Sequence, residues 1–171
     1  MNLVLIGYRG TGKSAVAKLL AKRLDMEVVS LDAEIVRQAG PIPDIVAKRG
    51  WPHFRDIEAQ VTKRVSDRDG IIIDSGGGVI LRRANVDNLR RNGKLIWLRA
   101  SVPVIVKRIE GGTQRPALTE GKSFTEEVED VLRERTPLYE AAAHHRVDTD
   151  QLDLEQVAQE VRRLFVEHTA A

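Results

Sequence analysis

The sequence predicts an α/β fold in three layers, a five-stranded parallel sheet covered by helices on both faces. Three observations carry this. Short apolar runs alternate with stretches whose apolar residues recur at helical spacing, the order that builds parallel sheets. Ile71-Ile72-Ile73, bounded by Asp69-Gly70 and Asp74, is a continuous apolar run of the kind buried on both faces. The first run, Asn2-Leu3-Val4-Leu5-Ile6, passes into Gly7-Tyr8-Arg9-Gly10-Thr11-Gly12-Lys13-Ser14 and then into an amphipathic stretch from Ala15 to Leu24. That loop fits G-x-x-x-x-G-K-[ST] between a strand and a helix, the setting the motif requires. Its backbone N–H groups and the helix N-terminus surround an anion. Gly10, Thr11, Gly12 and Ala15 line such a cradle, Lys13 reaches the outer phosphates of a nucleoside triphosphate, and Ser14 ligates Mg²⁺.

Composition narrows the class. A chain of 171 residues suggests one domain spanning 1–171, long enough for a sizeable core. The formal charge is only +2 with both signs interspersed, so nucleic acid is not the expected partner. The pI near 9.0 suits small anionic ligands equally well. There is no cysteine, hence neither disulfide nor thiolate metal site. The apolar start is too short for a signal peptide, and no apolar run approaches a membrane span. A cytoplasmic, monomeric protein without membrane or nucleic-acid partners is expected.

The remaining elements follow in order. Met26 to Leu31 reads as a second strand, and Asp32 to Ala39 as a short helix stopped by Gly40-Pro41. Pro43 to Arg49 reads as a brief helix closed by Gly50. Pro52 suits the first turn of a longer one, whose stripe is Phe54, Ile57, Val61 and Val65. Arg83 to Arg91 is helical, with Asn92-Gly93 as a C-terminal stop. Lys94 to Leu98 is the fourth strand, and Val102 to Ile109 is helical. Residues 111–122, with Gly111-Gly112 and Arg115-Pro116, lack periodicity and read as a mobile loop. Ser123 and Glu126 form a capping box for a helix running to about Ala143, which Pro137 should kink or interrupt. His145 to Asp148 is the fifth strand. The last helix, capped at Asp153, is expected to bury Leu154, Val157, Val161, Leu164 and Phe165.

Ligands in such sheets bind at the carboxyl ends of strands. Asp32 and Asp74 stand there with the glycine loop. Each has a plain reading too, Asp32 as a helix cap and Asp74 as a turn residue. An acidic residue after a strand in such proteins also holds Mg²⁺ through water, since hard cations prefer oxygen. Gly76-Gly77-Gly78 is either a simple loop or a place where a ligand approaches the backbone closely. Arg55 and Glu58, three apart on a helix, can touch, and alone read as a solvated surface pair. Arg115 and Arg135 are open in the same way: a solvated charge, or a group for an anionic ligand. His144 and His145 have no partner at a telling spacing and are read as structural.

Together, Gly7–Ser14, Leu31-Asp32-Ala33-Glu34-Ile35, Phe54-Arg55-Asp56-Ile57-Glu58, Gly76-Gly77-Gly78, Arg115-Pro116 and Arg135-Thr136-Pro137-Leu138-Tyr139 resemble the shikimate kinase family, small P-loop kinases related in fold to nucleoside monophosphate kinases. The resemblance covers nearly the whole chain. It implies a sheet of order 2-3-1-4-5, substrate-binding helices over about 32–66 and a lid over about 111–122. It also implies ATP-dependent phosphorylation of the 3-hydroxyl of shikimate. On this resemblance Asp32 holds ring hydroxyls and acts as base, Arg55 and Arg135 bind the carboxylate, and Glu58 orients Arg55. Gly76, Gly77 and Gly78 line the ring, Arg115 closes on the phosphates, and Arg108 flanks adenine with the segment after Asp148.

One departure matters. The family usually shows Asp-x-Asp after the second strand, and Ser30 stands at the first of these positions. Asp74 is expected to supply the missing water-mediated carboxylate for Mg²⁺. Two other classes are weighed against this. A kinase of another hydroxy acid such as gluconate should lack the Arg55, triple-glycine and Arg135 set, which is present. A nucleotide-binding switch should carry Asn-Lys-x-Asp, which is missing, and a pseudokinase should have lost Lys13, Ser14 or Asp32.

Overall fold

The computed structural model describes residues 1–109 and 123–169, with the side chains of 168 and 169 excepted. Five strands, β1 (Asn2–Ile6), β2 (Glu27–Ser30), β3 (Ile71–Asp74), β4 (Gly93–Arg99) and β5 (His145–Asp148), form one sheet in the order β2-β3-β1-β4-β5. Every pairing is parallel. Side chains alternate across the sheet, so each strand feeds two cores. Leu3, Leu5, Ile72, Ile96, Leu98 and Val147 pack under α1 (Lys13–Leu24) and α7 (Leu154–Thr169). Val4, Ile6, Ile71, Ile73, Leu95 and Trp97 face the other layer. That layer comprises α2 (Leu31–Ala39), α3 (Ile42–Ser66), α4 (Arg83–Arg91) and α6 (Phe124–Ala142); α5 (Val102–Ile109) packs against α6 in a third cluster with Tyr8. Each fully buried Ile, Leu or Val contributes about 1.5–3 kcal/mol, and β1 is buried along its whole length. It is the strand that carries the glycine loop.

Most expected boundaries hold within a residue or two. α3 is broken at Gly50 (φ 79°, ψ 171°), so the two helices expected on either side of that glycine are present end to end. The box at Ser123 and Glu126 forms with both reciprocal bonds, and Asp153 with Gln156 makes a second one at the start of α7.

Two expectations fail for tertiary reasons, and a third holds by another route. α6 continues through Pro137. The proline removes one helical bond, but Arg135, Tyr139 and Ala142 are all buried around it, and that burial holds the helix together. Leu154 is 46% exposed; it lies in the first turn of α7, beyond the core, and Ala158 joins Val157, Val161 and Phe165 inside instead. The Asn92-Gly93 stop works without a left-handed residue, because Asn92 has φ −136° and Gly93 already opens β4. Glycine is needed there for space, since a Cβ would stand 2.3 Å from the Leu89 carbonyl oxygen. The loop expected over 111–122, including Arg115, lies outside the described residues. Among the described residues no helix is long and apolar enough to cross a membrane.

Candidate active site

The glycine loop joins the end of β1 to the start of α1. Gly12 caps α1 in the left-handed region (φ 91°), a conformation an L side chain adopts only under strain. It turns the chain so that Lys13 and Ser14 begin the helix at the sheet's carboxyl edge. Lys13 is buried; its Nζ donates to the carbonyls of Gly7 (2.8 Å) and Tyr8 (2.9 Å), drawn back over the loop. Thr11 sits behind the loop, its hydroxyl donating to the Tyr8 carbonyl at 2.8 Å. A cavity of about 410 Å³ opens on the loop's outer side, lined among others by Gly10, Gly12, Lys13, Ser14, Ala15, Asp32, Asp74, Gly76 and Gly77. A larger groove of about 720 Å³ along β5 and α7 shares no residue with it.

Two acidic side chains enter this cavity, Asp74 from the end of β3 and Asp32 from the first turn of α2, just after β2. Ser30 and Asp74 are direct partners in the β2–β3 register, so the last residues of both strands stand side by side. Asp74 is buried, and its Oδ2 accepts a hydrogen bond of 2.6 Å from the Ser14 hydroxyl. Asp74 is therefore more than a turn residue: it ties the strand end to the first turn of α1. Ser30 has a different task. Its hydroxyl accepts from the Ala33 N–H at 3.2 Å and caps α2. Asp32, in the first turn of α2, is thus released from capping and faces the same cavity. Among the described residues no cluster of three or more His, Asp or Glu side chains assembles for a metal. The Ser14 hydroxyl and Asp74 carboxylate are nonetheless oxygen donors of the sort a hard cation takes when phosphates and water complete its shell.

A second group meets the cavity at the glycine run. Arg55 bonds Glu58 at 2.9 Å, and Glu58 is almost fully buried (1% exposed), so this is no solvated surface pair. The Arg55 guanidinium lies 5.4 Å from the Trp51 ring and 5.1 Å from that of Phe54. A Cβ on Gly78 would fall 2.3 Å from both Arg55 Nη atoms, so any side chain there would push the guanidinium out of this position. Arg135 is also buried, and its Nη1 comes within 3.7 Å of where a Gly77 Cβ would be. Tyr139, fully buried, donates from its hydroxyl to the Gly77 carbonyl. Burial pushes that hydroxyl up to about 12, with the Arg135 guanidinium pulling the other way, so it stays a neutral donor. Arg108 stands apart from this group, donating to the Gly10 carbonyl at 3.2 Å and the Thr149 hydroxyl at 3.4 Å.

Tyr139, Trp51 and Phe54 were not among the expected site residues. Trp51 and Phe54 precede Arg55 by four and one, and the four-residue spacing was legible as a shared helix face. Nothing in the local pattern announced that Tyr139 meets Gly77.

Burial raises the Glu58 carboxyl above its usual range, with Arg55, Arg135 and Arg82 lowering it in part. A carboxyl raised on folding contributes stability fully below its unfolded value and loses it as pH rises through the folded one. Glu58→Gln is therefore expected to gain melting temperature relative to wild type as pH rises above the range in which a free carboxyl ionises. Parallel melting curves through that range and above it check this; a constant difference would show that the Arg55 pair cancels the burial.

The family model for shikimate kinase matches residues 9–165. The chain belongs to the shikimate kinase family. A shikimate kinase of Pelotomaculum thermopropionicum is 38% identical over 168 residues, covering 98% of this chain and 96% of its own. One from Nitratidesulfovibrio vulgaris is 43% identical over 154 residues, 87% of each chain. Among solved structures, the shikimate kinase from Acinetobacter baumannii in complex with shikimate superposes with a TM-score of 0.92 at 31% identity, over 98% of this chain and 93% of its own. The sheet order and the helices on both faces are those of this family of phosphotransferases.

Proposed function

We propose that this chain transfers the γ-phosphoryl group of ATP to the 3-hydroxyl of shikimate, acting as a monomer in the cytoplasm. The observation that carries the reading is one juxtaposition. A phosphate cradle and a pair of arginines, the half-buried Arg55 and the buried Arg135, stand on either side of the same glycine run.

The residues divide the work by chemistry. Loop N–H groups from Gly10 to Ala15 and the α1 N-terminus take the phosphates, with Lys13 exchanging its carbonyl partners for phosphate oxygens. Arg108 flanks the adenine. Ser14 and Asp74 hold Mg²⁺, Asp74 through water. When bound, the ion neutralises charge on the outer phosphates. Arg55 and Arg135 take the shikimate carboxylate, each charge-assisted bond contributing about 1.5–3 kcal/mol, and Glu58 holds Arg55 in its orientation. Gly76, Gly77 and Gly78 form the wall beside the ring.

Asp32 receives the proton of the attacking 3-hydroxyl. The new P–O bond forms to that oxygen as the bond from the γ-phosphorus to the bridging oxygen breaks, and the electron pair leaves with ADP. Phosphoryl transfer asks mainly for positioning and charge neutralisation, which Lys13 and the two arginines provide. Arg115, outside the described residues, closes on the phosphates in this reading.

ADP release measured with shikimate, quinate and gluconate as acceptors tests the assignment. Turnover is expected with shikimate; turnover with gluconate and none with shikimate overturns it. Arg135→Lys is expected to raise the KM for shikimate roughly 10–100-fold while the KM for ATP moves less than about twofold, because a point charge replaces a planar fork. Steady-state kinetics with each substrate varied in turn is the check, and an unaltered shikimate KM removes Arg135 from the site.

A further inference from the structure

Tyr139 is 0% exposed, inside the core behind the cavity, yet it joins three parts of the site. Its hydroxyl donates to the Gly77 carbonyl, and the buried Arg135, one helical turn earlier, lies against the same glycine, its Nη1 3.7 Å from where a Gly77 Cβ would stand. Its ring stacks on Trp97, centroids 5.6 Å apart and planes inclined by 22°. Gly77 in turn lies against the phosphate loop. A Cβ there would stand 3.5 Å from the Arg9 nitrogen and 3.6 Å from the Gly7 carbonyl oxygen. The stack with Trp97 on β4 keeps the hydroxyl in register with the sheet.

We propose that Tyr139 is a positioning residue for the transfer: by holding Gly77, against which Arg135 lies, it sets the seat of the acceptor's carboxylate and the gap between acceptor and phosphate loop. The proposal rests on reading the chain as a shikimate kinase. Tyr139 itself contacts neither substrate. It acts on the reaction because Arg135 is buried against the glycine that the hydroxyl holds, and because the glycine run has no side chains of its own to hold its place. Removing the hydroxyl leaves the Gly77 carbonyl short of a partner, and the glycine relaxes together with the guanidinium beside it.

Tyr139→Phe keeps the ring and its stack, and isolates the hydroxyl. The KM for shikimate is expected to rise about five- to tenfold, with a fall in kcat of similar size, from the lost bond and the misplaced acceptor. The dissociation constant for ADP, measured by calorimetry, is expected to stay within about twofold, since the loop's own bonds are untouched. The decisive comparison is made in an Arg135→Lys background. There the same Tyr139→Phe change is expected to raise the shikimate KM less than about twofold, because its main route to the carboxylate is already gone. A packing role alone lowers the melting temperature and adds its full KM effect in either background. That outcome, or an unchanged shikimate KM in Tyr139→Phe, overturns the proposal. If Tyr139→Phe does not fold, the residue is structural and the proposal falls. Absence of shikimate-dependent ADP release in the wild type is a separate result: it removes the assigned reaction, and this inference with it.

Discussion

Asp32→Asn lowers kcat at least about 100-fold and leaves ATP affinity unchanged, the loss expected when a positioned base is replaced by an amide. Asn fills the same volume and sits in the same turn of α2, so the cavity keeps its shape. The cap of that helix is also safe, because it belongs to Ser30. What disappears is the acceptor of the hydroxyl proton and the negative charge beside the ring hydroxyls. Asp32 lines the cavity with Lys13, Ser14 and Asp74, while the loop carbonyls of Gly7 and Tyr8 are held by Lys13 and Thr11. Nucleotide titration of the variant alongside single-turnover kinetics separates the two effects. Normal turnover by Asp32→Asn would assign the proton to another group.

Asp74→Asn weakens apparent Mg²⁺ affinity about 10–100-fold, the range seen when a group that supports a metal's direct ligands is removed. The expectation comes from a substitution and a distance taken together. The family's usual first carboxylate after the second strand is replaced by Ser30, which is occupied in capping α2. Its neighbour across the β2–β3 pairing is Asp74, already bonded to the Ser14 hydroxyl at 2.6 Å. A carboxylate one strand over thus reaches the place the missing one would serve. Ser30→Ala gives the contrast: loss of the cap costs about 1 kcal/mol of stability, and Mg²⁺ affinity stays put. Mg²⁺ titrations of transfer rate on the three proteins decide it. Equal apparent affinity in Asp74→Asn and wild type would sink the relocation.

Much of the architecture was legible because it rests on local pattern. Ile71-Ile72-Ile73 could only be an inner strand, and the glycine at position 50 did break α3 where its backbone freedom suggested. Local pattern failed where distant burial outweighed it. Pro137 lost to the buried residues flanking it, and Leu154 kept the right spacing but had no core beneath it. In the site, Asp32, Asp74, Arg55 and Arg135 were each ambiguous alone, since a charged side chain in a loop or on a helix is solvated more often than not. Burial of Glu58 at 1% exposure removed that ambiguity for the Arg55 pair, and the Ser14 bond removed it for Asp74.

The sequence by itself determined the nucleotide half of this protein. Strand, glycine loop and helix are contiguous, and the φ of 91° at Gly12 and the start of α1 at Lys13 follow from residues a few positions apart. The acceptor half was decided by tertiary structure. Arg55, Gly77, Arg135 and Tyr139 come from α3, the loop after β3, and α6, and they meet only because a parallel sheet brings the ends of its strands to one edge. Which atom bonds which across that edge, Tyr139 to Gly77 or Ser14 to Asp74, depends on register and packing depth. Those are properties of the assembled core, set by contacts between residues sixty or more positions apart.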